Sequence, residues 1–289
     1  MTLVAALRGH EGLVMFADTQ ETVSGYSKRT IDKIEVWDFP GHPFRFAIAG
    51  ACTDATYADA LQYELAEALI GIPQYDLRNG IVPTLSTTLT EFYKKHIWPR
   101  GGDRPQIEYL VAIQPFPKGY PDVLHISETA VNVVGVTTHT YSVGVGSYLT
   151  DYLLGRLLGG GEPIAQLCAA AVHVAKEVEQ NIDGVGPMER AVIFDKWGGY
   201  DELAPLDIEE IADNLGGLNE ATMHLFSLAA DASLGMVAQE LSASVVDAAN
   251  AMRHAHTTWY EEFQKRSKQR SHYIAHFSSQ VAVKRAGSF

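Results

Sequence analysis

The sequence predicts an α+β fold of two antiparallel sheets packed face to face, with a pair of helices outside each. Strand-like and helix-like runs come in blocks: strands, two helices, strands, two helices, then a strand. Turn residues sit between successive strands at hairpin spacing, which makes the pairing antiparallel. No Gly-x-Gly-x-x-Gly fingerprint follows a strand, as an alternating dinucleotide-binding fold would require.

The elements follow in order. Residues 2–8 and 12–18 read as strands around the turn Arg8-Gly9-His10-Glu11-Gly12. Residues 33–38 and 44–50 form a second pair around Phe39-Pro40-Gly41-His42-Pro43. A helix is expected over 54–70, where apolar residues recur every three or four positions, and another over 85–96. Strands follow near 107–114, 121–127, 131–134 and 139–144. Two helices, 147–158 and 163–179, are separated by Gly159-Gly160-Gly161, and 189–194 is a further strand. Beyond residue 200, Ala and Leu dominate, and 206–215 and 219–263 read as largely helical. The expected division is therefore a domain over 1–200 and a helical extension over 201–289.

A chain of 289 residues with 46% hydrophobic content can bury a large core. No apolar run reaches the roughly 20 residues that span a bilayer, and the N-terminus lacks the basic and apolar regions of a secretory signal. Cys52 and Cys168 supply no disulfide framework, so a reducing cytoplasm is the expected location. The formal charge of −13 argues against general nucleic-acid binding. The charge is uneven: residues 253–289 hold seven Lys or Arg against two Glu. That basic tail reads either as a solvated helix end or as a contact for another subunit or an acidic surface.

The two hairpins suggest a catalytic group. With the first centred on His10, Thr2 faces Asp18; with the second centred between Gly41 and His42, Lys33 faces Gly50. If these strand ends adjoin, a hydroxyl, a carboxylate, an amine and an unobstructed glycine backbone converge. Thr is small enough for ordinary removal of Met1, which would leave a free α-amine beside the Thr2 hydroxyl. The hydroxyl can attack a carbonyl while that amine takes the proton. Lys33 would favour the neutral amine, Asp18 would orient and balance Lys33, and the Gly50 amide would stabilise an oxyanion. The same residues also suit ordinary hairpin architecture.

The stretches Thr2-Leu3-Val4-Ala5-Ala6, Gly12-Leu13-Val14-Met15-Phe16-Ala17-Asp18-Thr19, Asp32-Lys33-Ile34 and Ala47-Ile48-Ala49-Gly50-Ala51 resemble a proteasome β-type subunit of the N-terminal nucleophile (Ntn) hydrolase superfamily. Tyr141-Ser142-Val143-Gly144-Val145-Gly146-Ser147 extends the resemblance, which covers roughly residues 2–195. It implies a four-layer αββα fold, assembly into a ring or other homo-oligomer, and peptide hydrolysis. Thr2 would be the nucleophile, Asp18 and Lys33 its charged partners, and Gly50 the oxyanion donor. Neither a metal nor an organic cofactor would be needed.

Several positions depart from that pattern. Lys33 requires a one-residue shift, and the connection to Gly50 is longer than usual. Gln20 stands where active β-type subunits commonly carry Arg, and Val145 where a Ser is expected. Asn181 and Gly184 take the places of an Asp and a Ser that support the nucleophile, with Asp183 a candidate substitute. The segment beyond 200 is also longer than in an ordinary β-type subunit.

Other residues carry competing readings. Cys52 suits a small buried corner residue better than a nucleophile paired with His10 or His42. Cys168 reads as helical core. His272 and His276 have helical i,i+4 spacing but no local acidic or sulfur ligands. Asp207 and Glu210 read as helix capping. The leading function is threonine-type peptide hydrolysis on peptide or unfolded protein. The alternatives are an Ntn amidohydrolase acting on small amides, a noncatalytic assembly subunit, and an adaptor binding partners through its basic tail.

Overall fold

A computed structural model describes residues 2–23, 27–100, 104–135 and 137–216, together with the helical positions Ala243, Val246, Asn250, Glu261, Glu262 and Lys265. The expectations for 219–263 and for the basic tail lie almost wholly outside the described residues.

The chain opens with the hairpin β1 (Leu3–Gly9) and β2 (Gly12–Ala17). A small two-stranded ribbon follows, β3 (Gln20–Val23) with β4 (Ser27–Thr30). Next come β5 (Ile34–Trp37) and β6 (Phe44–Cys52). Helix α1 (Ala55–Ile70) is capped by Asp54, whose side chain accepts from the Thr56 N–H. Helix α2 (Val82–Phe92) continues at both ends into wider turns, Leu77–Ile81 and Tyr93–Ile97. Strands β7 (Ile107–Pro115), β8 (Asp122–Ser127), β9 (Ala130–Val133) and β10 (Thr140–Gly144) lead to α3 (Ser147–Leu157) and α4 (Ile164–Asn181). Strands β11 (Arg190–Asp195) and β12 (Tyr200–Leu203) and a helix α5 over 205–216 follow.

One five-stranded sheet has the order β10-β1-β2-β11-β12, the other β5-β6-β7-β8-β9, and both are antiparallel. Side-chain alternation divides the core into three layers. On β1, Leu3, Ala5 and Leu7 pack toward α4, while Val4 and Ala6 face the second sheet. On β6, Phe44, Phe46 and Ile48 pack toward α1 and α2, while Ala47, Ala49 and Ala51 face the first sheet. Both faces of both sheets are therefore covered, which is why β1 and β2 are buried along their whole length. This is the expected α+β, four-layer arrangement.

Two details differ from the sequence expectation. The first hairpin pairs Gly9 with Gly12 and Val4 with Ala17, so its loop is the two residues His10 and Glu11 rather than a pivot on His10. Thr2 therefore does not stand directly opposite Asp18; Asp18 instead exchanges backbone and side-chain bonds with Leu3. The ribbon β3–β4 and strand β12 were not anticipated. β12 pairs with β11, and Ile208 and Ile211 of α5 join the same core as α4, so continuous packing runs past residue 200. Among the described residues, no helix is long and apolar enough to cross a membrane.

Candidate active site

Thr2 lies just before β1, and alternation along that strand places it on the inter-sheet face with Val4 and Ala6. Its carbonyl accepts from the Val145 N–H at 2.9 Å. Gly144 makes this approach possible: it has φ +93°, and a Cβ there would fall 2.0 Å from the Thr2 carbonyl oxygen and 3.3 Å from the Ala51 methyl. Thr2, the end of β10 and the end of β6 therefore meet.

The second hairpin has the expected register. Ile34 pairs with Ala49, so one step further places Lys33 across from Gly50. The Lys33 ammonium donates to Thr2 Oγ1 at 3.1 Å, to Asp18 Oδ1 at 2.9 Å and to the Gln20 carbonyl at 2.5 Å. Three acceptors for three protons satisfy it fully. Asp18 is equally well held. Oδ1 also accepts from Leu3 N–H at 2.7 Å, and Oδ2 accepts from the N–H groups of Gln20 and Gly186, each at 3.1 Å. The side chains of Lys33 and Asp18 are 6% and 2% exposed, so water screens the pair little. Burial pushes the Lys33 pKa down, and the Asp18 carboxylate beside it offsets part of that shift.

Gly50 is glycine for a packing reason. A Cβ there would lie 2.2 Å from the Tyr109 ring, whose hydroxyl is fixed on the Ala58 carbonyl at 2.6 Å. The sequence-predicted set Thr2, Asp18 and Lys33 is thus joined by hydrogen bonds, and Gly50 stands at the adjoining strand end.

Residues that the sequence reading missed complete the arrangement. Arg190 donates to Asp32 Oδ2 at 2.5 Å and to the Ile34 carbonyl at 3.0 Å, while its other donors hold Glu202. Asp32 Oδ1 in turn accepts from Ile34 N–H at 3.0 Å. The loop presenting Lys33 is therefore clamped on both sides. The pairing of β11 with β2 brings Gly186 and Pro187 beside Asp18 and Thr19, whose N–H and hydroxyl both donate to the Pro187 carbonyl. A Cβ on Gly186 would stand 2.3 Å from the Gln20 Cβ. Only an Arg–acid pairing across distant segments could have signalled the clamp, and nothing in the sequence marks the backbone donors.

Among the departing positions, Asn181 folds back to donate to the Glu177 carbonyl and Asp183 is exposed. Val145 serves through its backbone. Ser142 donates to Asp151 Oδ1 at 2.6 Å, next to the β10 end. Cys52 is half-buried, bonded within its own turn to Asp54, and burial raises its pKa, which opposes thiolate formation. His10 contacts the Gly161 carbonyl, and His42 contacts the carbonyls of Phe44 and Ile70; neither bonds Cys52. Cys168 is fully buried in the α4 core. Asp207 accepts from Ala204 N–H at the start of α5, a capping role. Among the described residues no group of three or more His, Cys, Asp or Glu is placed to hold a metal; His272 and His276 lie outside them.

No family model matches the sequence, and no curated protein sequence does. Solved structures are similar in fold. A Gly-1 mutant of Anbu from Hyphomicrobium sp. strain MC1 superposes with TM-score 0.65 at 16% identity, over 78% of this chain and 97% of that one. Anbu from Yersinia bercovieri, described as an ancestral β-subunit, gives 0.62 at 16% identity, over 78% and 96%. The helical assembly of the Anbu complex from Pseudomonas aeruginosa gives 0.60 at 15% identity, over 77% and 96%. The chain thus shares the fold of these Anbu structures.

Proposed function

We propose that this chain is a threonine-type peptide hydrolase that works in a proteasome-like self-assembled particle, with Thr2 as nucleophile once Met1 is removed. The observation that carries the reading is the Lys33 ammonium, buried and shared between Thr2 Oγ1 and Asp18 Oδ1. A surface hairpin has no need to bury a charged pair around a threonine hydroxyl, since burial costs several kcal/mol per ion.

The chemistry runs as follows. The α-amine of Thr2 takes the hydroxyl proton as Oγ1 bonds to the peptide carbonyl carbon. The Lys33 charge keeps that amine neutral and ready, and stabilises the developing alkoxide. Negative charge moves to the carbonyl oxygen, toward the Gly50 N–H. The C–N bond then breaks, and the leaving amine carries away the proton. Water, deprotonated by the same α-amine, attacks the ester and restores Thr2. Self-assembly is proposed by extension from the Anbu helical assembly. A peptide or unfolded-protein substrate follows from the resemblance.

A noncatalytic assembly subunit is the second reading, favoured by the burial of Thr2, which is 8% exposed. One experiment separates the two. Intact mass is measured before and after exposure to an electrophile selective for N-terminal threonine, in wild type and Thr2→Ala. Loss of Met1 and one adduct on Thr2, absent in the variant, is the expected result. Retained Met1 or an unreactive Thr2 in the assembled particle would reject the hydrolase reading.

A further inference from the structure

Beyond Gly50 the inter-sheet face carries a polar trio that the catalytic steps above do not use. Glu108 on β7 pairs with Ala51 on β6, the residue that meets Gly144 beside Thr2. Directly opposed residues point the same way, so Glu108 shares the inter-sheet face of Ala51. His125 on β8 pairs with Leu110, and Tyr141 on β10 pairs with Ala6, both inter-sheet positions. Their side chains join: the Tyr141 hydroxyl lies 3.0 Å from His125 Nδ1, and His125 Nε2 lies 3.8 Å from Glu108 Oε1.

The trio is electrostatically unfinished. Burial lowers the His125 pKa, which favours the neutral imidazole. His125 Nε2 is buried, has no hydrogen-bond partner, and faces Glu108 across a gap too long for a hydrogen bond. The Glu108 side chain is 40% exposed, against 12% for His125, so it stands at the solvent edge of the trio. Asp151, held by Ser142, lies on the helix-facing side of β10 and leaves Glu108 as the carboxylate of the trio. The neighbouring cation, Lys33, is saturated by its three acceptors.

We infer that Glu108, backed by His125 and Tyr141, forms a subsite that takes a cationic side chain of the bound peptide. The inference rests on the threonine-nucleophile reading. An ammonium or guanidinium placed there would complete Glu108 and offer the Tyr141 oxygen a donor. Thr2 and Glu108 are separated by the Gly144–Ala51 contact and one strand spacing, on the order of 10 Å. An extended peptide rises about 3.3 Å per residue, so the cationic residue lies about two or three positions from the scissile bond.

The test uses the full-length assembled protein and internally quenched peptides. Each carries Lys, or its near-isostere norleucine, at one of three positions on either side of the cleaved bond. Lys should exceed norleucine in kcat/KM by roughly five- to tenfold at one position, the scale of a partly screened charge pair. That ratio should fall toward one in Glu108→Gln and invert in Glu108→Lys, with thermal melts confirming that both variants fold. Cleavage with no Lys preference, or a preference unchanged in Glu108→Gln, would overturn the subsite alone. Cleavage that survives in Thr2→Ala, or none in wild type, would overturn the nucleophile reading and the subsite with it.

Discussion

Replacing Lys33 by Met tests the site in stability and in chemistry together. The substitution keeps the aliphatic stem and deletes an ammonium bonded to Thr2, Asp18 and Gln20. Breaking one partner from a buried ion pair costs about 3–5 kcal/mol, because it strands the other charge. Asp18 keeps three backbone donors, from Leu3, Gln20 and Gly186, which places the expected loss at the low end, about 3 kcal/mol. For a domain of this size that lowers Tm by roughly 6–12 °C. Thr2→Ala removes one accepted bond and should cost only about 1 kcal/mol, so the pair of variants separates the ion pair from the hydroxyl.

The pH dependence has a definite sign. The folded Lys33 pKa lies below its ordinary 10.5, so between the two values the unfolded chain binds the extra proton. Wild type should therefore gain stability on Lys33→Met as pH rises toward 10.5. On the proposed mechanism, reactivity of Thr2 toward the electrophile should require higher pH in the variant, because the cation proposed to favour the neutral α-amine is gone. Wild-type Tm with an unchanged pH profile of labelling would refute both roles of Lys33.

Two further outcomes follow from the packing. Gly186→Ala forces a Cβ to 2.3 Å from Gln20 Cβ and 3.0 Å from the Gln20 nitrogen, and should destabilise by about 1–3 kcal/mol in urea unfolding while reducing Thr2 labelling; unchanged values on both counts would mean Gly186 does not hold Asp18. Burial raises the pKa values of Tyr75, Tyr93 and Tyr109, with Tyr93 pushed up to about 12. The unfolded chain then loses those protons first, so their stabilisation is present below about pH 10 and lost as pH rises toward 12. Phenolate absorbance should show a late group of tyrosines that ionises only with alkaline unfolding; a single transition near 10 with the fold intact would contradict this.

The sequence was legible where side chains carry the signal. Pro40 and Pro43 around Gly41 bound the second turn, and the register that joins Lys33 to Gly50 follows from its centre. The first hairpin slipped by one because Gly9 and Gly12 flank the loop equally, and only pairing decides between a pivot and a two-residue turn. β3, β4 and β12 are four residues each and mostly polar, with too few apolar positions to set a period of two. In the site, the side chains Thr2, Asp18 and Lys33 could be named in advance. The carbonyl of Gln20 and the N–H groups of Leu3, Gly186 and Val145 could not, because every residue type offers them.

That split bears on the altered positions around Thr2. A serine at 145 or 184 would act through its hydroxyl, and an aspartate at 181 through its carboxylate. In this chain the orientation of Thr2 and Asp18 comes from main-chain groups instead: Val145 N–H on the Thr2 carbonyl, and Leu3, Gln20 and Gly186 N–H on the carboxylate. Main-chain donors are fixed by strand pairing and by the Gly186–Gln20 packing, so their geometry does not depend on which side chain stands at 145, 181 or 184. Asn181 is accordingly free to bond its own helix and Asp183 to face solvent. What the sequence must keep is the pair of charges that no backbone can supply, Lys33 and Asp18, and the Arg190–Asp32 clamp that holds the loop between them. A charge pair clamped in that way is the arrangement under which divergence of the surrounding hydroxyls leaves the position of Thr2 intact.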